Sequence, residues 1–312
     1  MLKNIFSKEK YNETHNIIKF LGLKIKYPTS FAKDFLKKQA FYKHFHNKLD
    51  ITQIPPAEGQ IRDIQLANLT LLKELDYVCK KNNLTYWLDF GTLLGAFRHR
   101  GFIPWDDDID VGMPRNDYEK LFNIFNSETR NHEIFLDYYR CTNKPCQIIL
   151  KVQHKKCPAL FVDIFPYDCC EDSLSIREQL KKTQKIKKIR KNLQKKCPKS
   201  ATNNEILKII VQERTKYVQE SEKSNVSLWG FDYNHQWKNW FVNNNVIYPL
   251  KEIEFEKNRF PCINNIDEYL KSVYGDYLKY PKKIGFGHSA FLNFSEDEKK
   301  VIMELRNNEV IK

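Results

Sequence analysis

Four aspartates fall within five positions, in the run Asp106-Asp107-Asp108-Ile109-Asp110. They interrupt an apolar frame made by Phe102, Ile103, Trp105, Ile109 and Val111. Residues 102–111 therefore read as a strand, stopped by Pro114. Side chains alternate along a strand, so Asp106, Asp108 and Asp110 are expected on one face and Asp107 on the other. Neighbouring carboxylates on that face stand roughly 7 Å apart and raise each other's pKa. A divalent cation removes the conflict, and hard carboxylate oxygens suit Mg²⁺ or Mn²⁺. Two such ions about 3.5–4 Å apart can clamp the attacking and leaving oxygens of a phosphoryl displacement. A solvated acidic turn is the alternative, and the apolar frame argues against it.

A second feature precedes the acids. Gly91 breaks a short apolar run, and Thr92 opens what reads as a helix over 92–98 with a Thr cap. Free backbone N–H groups and the helix dipole make such a turn a phosphate site. Arg98, His99 and Arg100 lie between the two features, where they can neutralise phosphate charge or simply be solvated.

These residues need elements to hold them. Ile64, Leu69, Leu72, Leu75 and Cys79 recur at helical spacing, which predicts a helix over 61–81 closed by Asn82-Asn83. Residues 84–88 are aromatic and β-prone. Asn116 or Asp117 is placed to cap a helix carrying Tyr118, Leu121, Phe122 and Phe125 on one face. Strands are expected over 133–139, 147–153 and 159–165. The capping box Ser175-Ile176-Arg177-Glu178 starts a long helix that ends at Cys197-Pro198. A further helix is expected over 204–221, then a strand over 252–260 and a helix over 266–274 stopped by Gly275.

The chain has 312 residues, enough for one large or two small domains. With 41% hydrophobic and 13% aromatic residues it is neither disordered nor fibrous. The formal net charge is +13, and ten of those units fall on residues 177–199. The rest of the chain is nearly neutral, so a nucleic-acid reading rests on one segment that lacks interleaved aromatics. An anionic membrane surface suits those lysines better. No secretory signal or membrane span is evident, so a cytoplasmic location and reduced thiols are expected. The segment 17–26 mixes Lys with large apolar residues and reads as a membrane-surface stretch or as an ordinary strand or helix. Cys141, Cys146, Cys157, Cys169 and Cys170 cluster in sequence without paired zinc-knuckle spacing.

The run Gly91-Thr92-Leu93-Leu94-Gly95, followed by Gly101-Phe102-Ile103-Pro104-Trp105-Asp106-Asp107-Asp108-Ile109-Asp110, closely resembles the signature of the LicD family. Its bacterial members are phosphocholine transferases, and fukutin and fukutin-related protein are relatives. Two more stretches resemble this family. One is Phe161-Val162-Asp163-Ile164-Phe165-Pro166-Tyr167-Asp168; the other runs from Ile253-Glu254-Phe255-Glu256 to Tyr274-Gly275-Asp276-Tyr277-Leu278. The resemblance covers about 61–168 and 246–288.

It implies an α+β fold of the polymerase beta nucleotidyltransferase type, a mixed β-sheet core flanked by helices with a helical insertion and a C-terminal extension. The expected division is a basic N-terminal region (1–55), a catalytic core (56–170), a basic helical insertion (171–245) and a C-terminal part (246–312). Asp108 and Asp110 match the family's metal pair, with Asp106 a third ligand or supporting acid. Asp163 resembles a later carboxylate that binds metal and helps deprotonate the acceptor. Gly91 and Thr92 would cradle nucleotide phosphates. Lys282, Lys283 and His288 follow the C-terminal match as weaker candidates. The fukutin-related branch has a cysteine-bound zinc, so Cys141, Cys146, Cys169 and Cys170 are either structural zinc ligands or small buried thiols.

The implied reaction is transfer of phosphocholine, or a related phospho-alcohol, from CDP-choline or another CDP-alcohol to a hydroxyl of a glycan or lipid-linked glycan, releasing CMP. Choline calls for aromatic faces with an acid nearby. The competing readings are a nucleotidyltransferase acting on a small molecule, protein or RNA, and a nucleic-acid- or membrane-binding module using the basic run.

Overall fold

The computed structural model describes residues 6–10, 15–20, 23–28, 50–140, 146–170, 174–198, 200–218, 225–233, 237–281 and 293–310. Strands β1 (Phe6–Lys10), β2 (His15–Phe20) and β3 (Leu23–Pro28) form an antiparallel meander. Of the apolar, Lys-bearing segment 17–26, residues 17–20 fall on β2 and residues 23–26 on β3.

Helix α1 (Gln60–Lys81) follows the predicted period closely. Ile64, Leu71, Leu72, Leu75 and Val78 are fully buried along one stripe. Asp63 in the first turn and Lys80 and Lys81 in the last complement the helix dipole. Next come β4 (Trp87–Leu88), α2 (Phe90–His99), β5 (Ile109–Pro114) and α3 (Arg115–Glu128). They are followed by β6 (Ile134–Arg140), β7 (Ile148–His154) and β8 (Cys157–Cys170). Helices α4 (Ile176–Lys196) and α5 (Asn203–Arg214) precede β9 (Val226–Trp229), β10 (Phe241–Asn243) and the short α6 (Asn244–Ile247). The C-terminal part holds β11 (Lys251–Phe255), β12 (Asn258–Cys262), α7 (Ile266–Tyr274) and α8 (Glu296–Val310).

The central sheet runs β10-β9-β8-β5-β4, with β7 also on β8 and β6 on β7. Only β5 and β8 pair in parallel among its described strands. β8 organises this sheet. One edge pairs with β7 and then, from Tyr167, with β9, while the other edge pairs with β5. A strand buried on both faces needs a long apolar run, and residues 160–167, broken only at Asp163, supply it. Helices α1, α2, α3, α7 and α8 pack into the larger apolar cluster with β4–β8. Ile186 of α4, with Ile206 and Ile210 of α5, packs a second cluster with Leu228, Trp240 and Phe241. This is the α+β architecture, with a mixed sheet flanked by helices, that the sequence leads one to expect.

Several boundaries differ from expectation. Residues 102–108 are not a strand; β5 begins only at Ile109. Asp89, not Thr92, caps α2, its side chain accepting from the Phe90 N–H. Helix α3 starts at Arg115 without a side-chain cap, and Asp117 instead accepts from the Thr85 N–H at 3.0 Å. The stretch 252–260 is two strands, because Glu256 and Lys257 both adopt positive φ and turn the chain into a hairpin. The strand expected over 159–165 extends to Cys157–Cys170, and the helix expected over 204–221 ends at Arg214. Helix α7 and its Gly275 stop, and the Ser175/Glu178 capping box of α4, appear as read.

Candidate active site

The acidic run is held by α1. Gln65 is fully buried, and its amide donates to the carbonyls of Ile103 and Asp106 at 3.2 and 2.7 Å. Asn68, also fully buried, donates to the Asp107 carbonyl at 2.7 Å and accepts from the Phe161 N–H at 2.9 Å. One helix thus pins the acidic loop and ties it to β8. The loop's entry is clamped as well. Arg62 makes a bidentate pair with Glu256, which accepts from the Phe102 N–H at 3.2 Å. The sequence reading missed Gln65, Asn68, Arg62 and Glu256. The one available signal was two amides on the apolar stripe of a helix, where burial demands partners.

Because 106–108 are loop, the strand alternation fails there. Asp106, Asp107 and Asp108 can each offer an oxygen within 4.8 Å of the others. Asp106, Asp108 and Asp110 line a cavity of about 220 Å³ together with Gly91. A Cβ at Gly91 would lie 2.8 Å from Asp106 Oδ2, so a larger residue there would displace that carboxylate. Asp110 is the second residue of β5, and its N–H donates to the Thr92 hydroxyl at 2.8 Å. Thr92 is buried and acts here as a pin between α2 and β5. Burial, followed by the charges of Asp108, Asp163, Asp106 and Asp89, holds the Asp110 carboxyl well above the usual carboxylate range. Desolvation and the charges of Asp110, Asp106, Asp89 and Asp108 likewise raise the Tyr274 phenol well above its ordinary value. A site that penalises its own negative charge this strongly suits a cation, and its donors are all hard oxygens.

Asp163 is the register partner of Asp110 across the parallel pair and of Lys151 across the antiparallel one. Register partners share a sheet face, so Asp110, Asp163 and Lys151 form a row across three strands. Lys151, almost fully buried, is 2.8 Å from Asp163 Oδ1. The sequence reading did not single out this lysine. A Lys inside the apolar run Ile148-Ile149-Leu150-Lys151-Val152 was its signal.

Asp89 supports the site from beneath. It accepts from the hydroxyls of Tyr167 (2.7 Å) and Tyr269, and its N–H donates to the Asp110 carbonyl at 3.0 Å. Burial pushes its carboxyl up to about 6. Phe90, next in the chain, holds a positive φ of 40° at the first helical position. Such backbone costs on the order of 1–3 kcal/mol in a non-glycine residue and persists where packing fixes it.

Arg98, His99 and Arg100 do not line the carboxylate cavity. Arg98 is buried and donates to the Tyr277 carbonyl at 2.9 Å and to His99 Nε2 at 2.9 Å. Burial, then the Arg98 charge, pushes His99 down to about 4, so it is neutral at physiological pH. Arg100 caps α2 in the left-handed conformation, and its carbonyl accepts from the Glu256 N–H. Lys282, Lys283, His288 and Cys141 lie outside the described residues. Cys146 and Cys170 are buried in the second apolar cluster, and Cys169 is half-buried. Among the described residues, no group of three or more potential metal ligands contains a cysteine.

The family model described as LicD/FKTN/FKRP, nucleotidyltransferase domain, matches residues 83–197. The chain is 31% identical over 253 residues to the lipopolysaccharide cholinephosphotransferase LicD of Haemophilus influenzae, spanning 71% of this chain and 92% of that protein. The chain belongs to the LicD family. An uncharacterized protein of Rickettsia prowazekii is 35% identical over 100 residues, 31% of this chain and 38% of that one. The human ribitol 5-phosphate transferase FKRP is 50% identical over 36 residues, 12% of this chain and 7% of FKRP. The LicD match contains the whole of α2, the acidic loop, β5 and β8, the elements that bring Gly91 and the carboxylates together; Trp229, Tyr233, Trp237 and Tyr274 of the cavity lie beyond it.

Proposed function

We propose that this LicD-family chain transfers phosphocholine, or a related phospho-alcohol, from a CDP-linked donor to a hydroxyl of a cell-surface glycan. What carries this reading is the match across 92% of a lipopolysaccharide cholinephosphotransferase. The carboxylate cavity supplies chemistry that fits it.

In this proposal Asp106, Asp108 and Asp110 hold magnesium or manganese. The ion, when bound, offsets charge on the donor's phosphates. Asp163 takes the proton of the acceptor hydroxyl, and Lys151, 2.8 Å away, holds its carboxylate in place. The hydroxyl oxygen bonds to the phosphorus that carries the alcohol. The bond from that phosphorus to the bridging oxygen breaks, and CMP leaves with the bridging oxygen. Gly91 gives the donor close access to the backbone at the start of α2.

We also propose a cytoplasmic protein that rests on an anionic membrane. Arg177, Lys181, Lys188, Lys191 and Lys195 are exposed on the outer side of α4. No helix among the described residues is long and apolar enough to cross a membrane.

The test is a panel of CDP-choline, CDP-glycerol, CDP-ribitol and nucleoside triphosphates with glycan acceptors, read by product mass. CMP and a phospho-alcohol-modified glycan are expected, with loss of both in EDTA and recovery with Mg²⁺. Pyrophosphate from a triphosphate, with a nucleotide added to the acceptor, would establish nucleotidyl transfer instead. In the same preparation, co-sedimentation with vesicles containing phosphatidylglycerol, but not with pure phosphatidylcholine, tests the membrane contact.

A further inference from the structure

A separate cavity of about 320 Å³ lies between α4, the end of α5 and the sheet. Its volume falls at the lower end of the roughly 300–1,000 Å³ usual for small-molecule sites. Its floor is apolar, made by Ile186 of α4, Cys170 at the end of β8 and Phe241 of β10. Cys170 lies seven residues beyond Asp163 on β8, about 23 Å along a strand, so this cavity stands apart from the carboxylates.

Three lysines line it. Lys182 and Lys185 sit one turn apart on α4, and Lys216 follows α5. Lys182 shares a helix face with the buried Ile186, four residues on, which turns it inward. Lys185 Nζ stands 5.8 Å over the Tyr217 ring, which also lines the cavity. Burial and then the Asp168 charge push the Cys170 thiol up to about 12, and the nearby Lys182 charge opposes them.

This positive charge is poorly compensated. No carboxylate and no guanidinium line the cavity. Among the described residues no carboxylate pairs with Lys182 or Lys185, while Lys216 pairs with Glu213 at 2.8 Å. Glu178, on the same helix, is occupied with the Ser175 cap, and Asp168 with Arg115 and Arg214. The last carbonyls of α5 are occupied too. Val211, Glu213 and Arg214 accept from the N–H groups of Thr215, Lys216 and Tyr217, and Gln212 accepts from the Thr215 hydroxyl. Three ammonium groups against one carboxylate leave about two units of positive charge at the cavity. A phosphate monoester carries about −1.5 to −2 and three strong acceptor oxygens, which matches. Lysines serve phosphate as point charges, whereas a planar carboxylate is better met by an arginine fork.

We propose that Lys182, Lys185 and Lys216 form a second anion site that takes a phosphate monoester, carried by a lipid headgroup or by a free phosphate ester. The site is independent of the group that the carboxylate cavity transfers. It gives the basic segment a defined pocket in addition to its charged outer face.

The test titrates glycerol 3-phosphate into the full chain in EDTA, read by calorimetry, with glycerol as the neutral control. EDTA keeps metal ions out of the carboxylate cavity, whose acids then repel the probe. Saturable binding of glycerol 3-phosphate is expected, and none of glycerol. Lys182→Gln combined with Lys185→Gln, both at exposed positions, should weaken it at least about 10-fold, the scale of one charge-assisted hydrogen bond. Lys188→Gln combined with Lys191→Gln removes the same charge from the outer face of α4 and should leave the binding nearly unchanged. Co-sedimentation with phosphatidylcholine vesicles carrying phosphatidic acid or phosphatidylglycerol, at equal surface charge, identifies the source. A preference for phosphatidic acid that the Lys182/Lys185 variant loses assigns the site to a lipid headgroup. Binding of glycerol 3-phosphate without that preference assigns it to a soluble ester. Neither saturable binding nor a phosphatidic acid preference would overturn the site. Equal losses in the two double variants would overturn it as well, since the attraction would then be to the diffuse charge of α4. CMP release is measured separately, so failure of this site and failure of the transfer reading remain distinguishable.

Discussion

Asp110 is the residue in which the site's electrostatics concentrate. It is half-buried, sits second in a core strand, and faces Asp108, Asp163, Asp106 and Asp89. Without a cation its ionised form is disfavoured, so removing its charge relieves the protein. Asp110→Asn is expected to melt no lower than wild type in EDTA, and higher if repulsion dominates. With Mg²⁺ present, wild type should gain stability by mass action and the variant should not. CMP release should fall at least about 100-fold in the variant, the scale expected when a charge-stabilising interaction is removed from the reacting centre. Thermal unfolding with and without Mg²⁺, beside the activity assay, checks this. A variant that Mg²⁺ still stabilises as much as wild type would remove Asp110 from the ion's ligands. At this scale the sequence was informative about residue types. Asp106, Asp108, Asp110 and Gly91 do meet at one cavity. Arg98 and His99 do not, because their helix turns them under the segment that follows α7. Facing direction depends on which partner covers a helix, and spacing alone does not carry that.

The acidic loop shows where local pattern misleads. An apolar frame surrounds the acids through 102–111, as it would in a strand. The backbone there instead gives its carbonyls to Gln65 and Asn68, side chains about forty residues upstream. A long element with a full apolar stripe, such as α1, was legible because its own residues carry the signal. The loop was not, because its hydrogen-bond partners belong to another element. Asn68 is the decisive contact, bonding the Asp107 carbonyl and the Phe161 N–H at once. Asn68→Ala removes one partner from each of the two backbone groups and is expected to cost roughly 2–6 kcal/mol, from about 1–3 kcal/mol for each. It should also lower kcat by loosening 106–108 against β8. Urea unfolding and kcat measured under stabilising conditions separate the two effects. Wild-type kcat together with a stability change below about 1 kcal/mol would show that α1 does not position the acids.

Across the whole molecule, charge is divided between a basic outer face and pairs buried beneath the sheet. The +13 is concentrated on α4, yet Arg190 of that helix is fully buried and donates to the carbonyls of Cys146 and Asp232. The same region holds a four-membered ionic knot. Arg115 of α3 bonds Asp168 and Asp232 through two contacts each, and Arg214 of α5 bonds Asp168 at 2.6 Å. The knot joins β8 to α3, α5 and the turn after β9, so it couples the sheet that carries Asp163 to the helices around 171–245. No motif announced it, since its four members come from four separate stretches of chain. Burial opposes ionisation of Asp168, but Arg115 and Arg214 outweigh it and hold its carboxyl below the usual value. A depressed carboxylate contributes stability that is fully present above its unfolded pKa of about 3.9 and is lost as pH falls through the lower folded value. Asp168→Asn should therefore destabilise the protein by about 3–5 kcal/mol at pH 7, because it leaves buried guanidinium charge uncompensated. The gap between variant and wild type should narrow as pH drops below about 4, where wild type begins to lose the same charge. Urea unfolding of both proteins between pH 7 and pH 3 measures this. A gap that stays constant over that range would mean that the Asp168 contacts act through shape and not through charge.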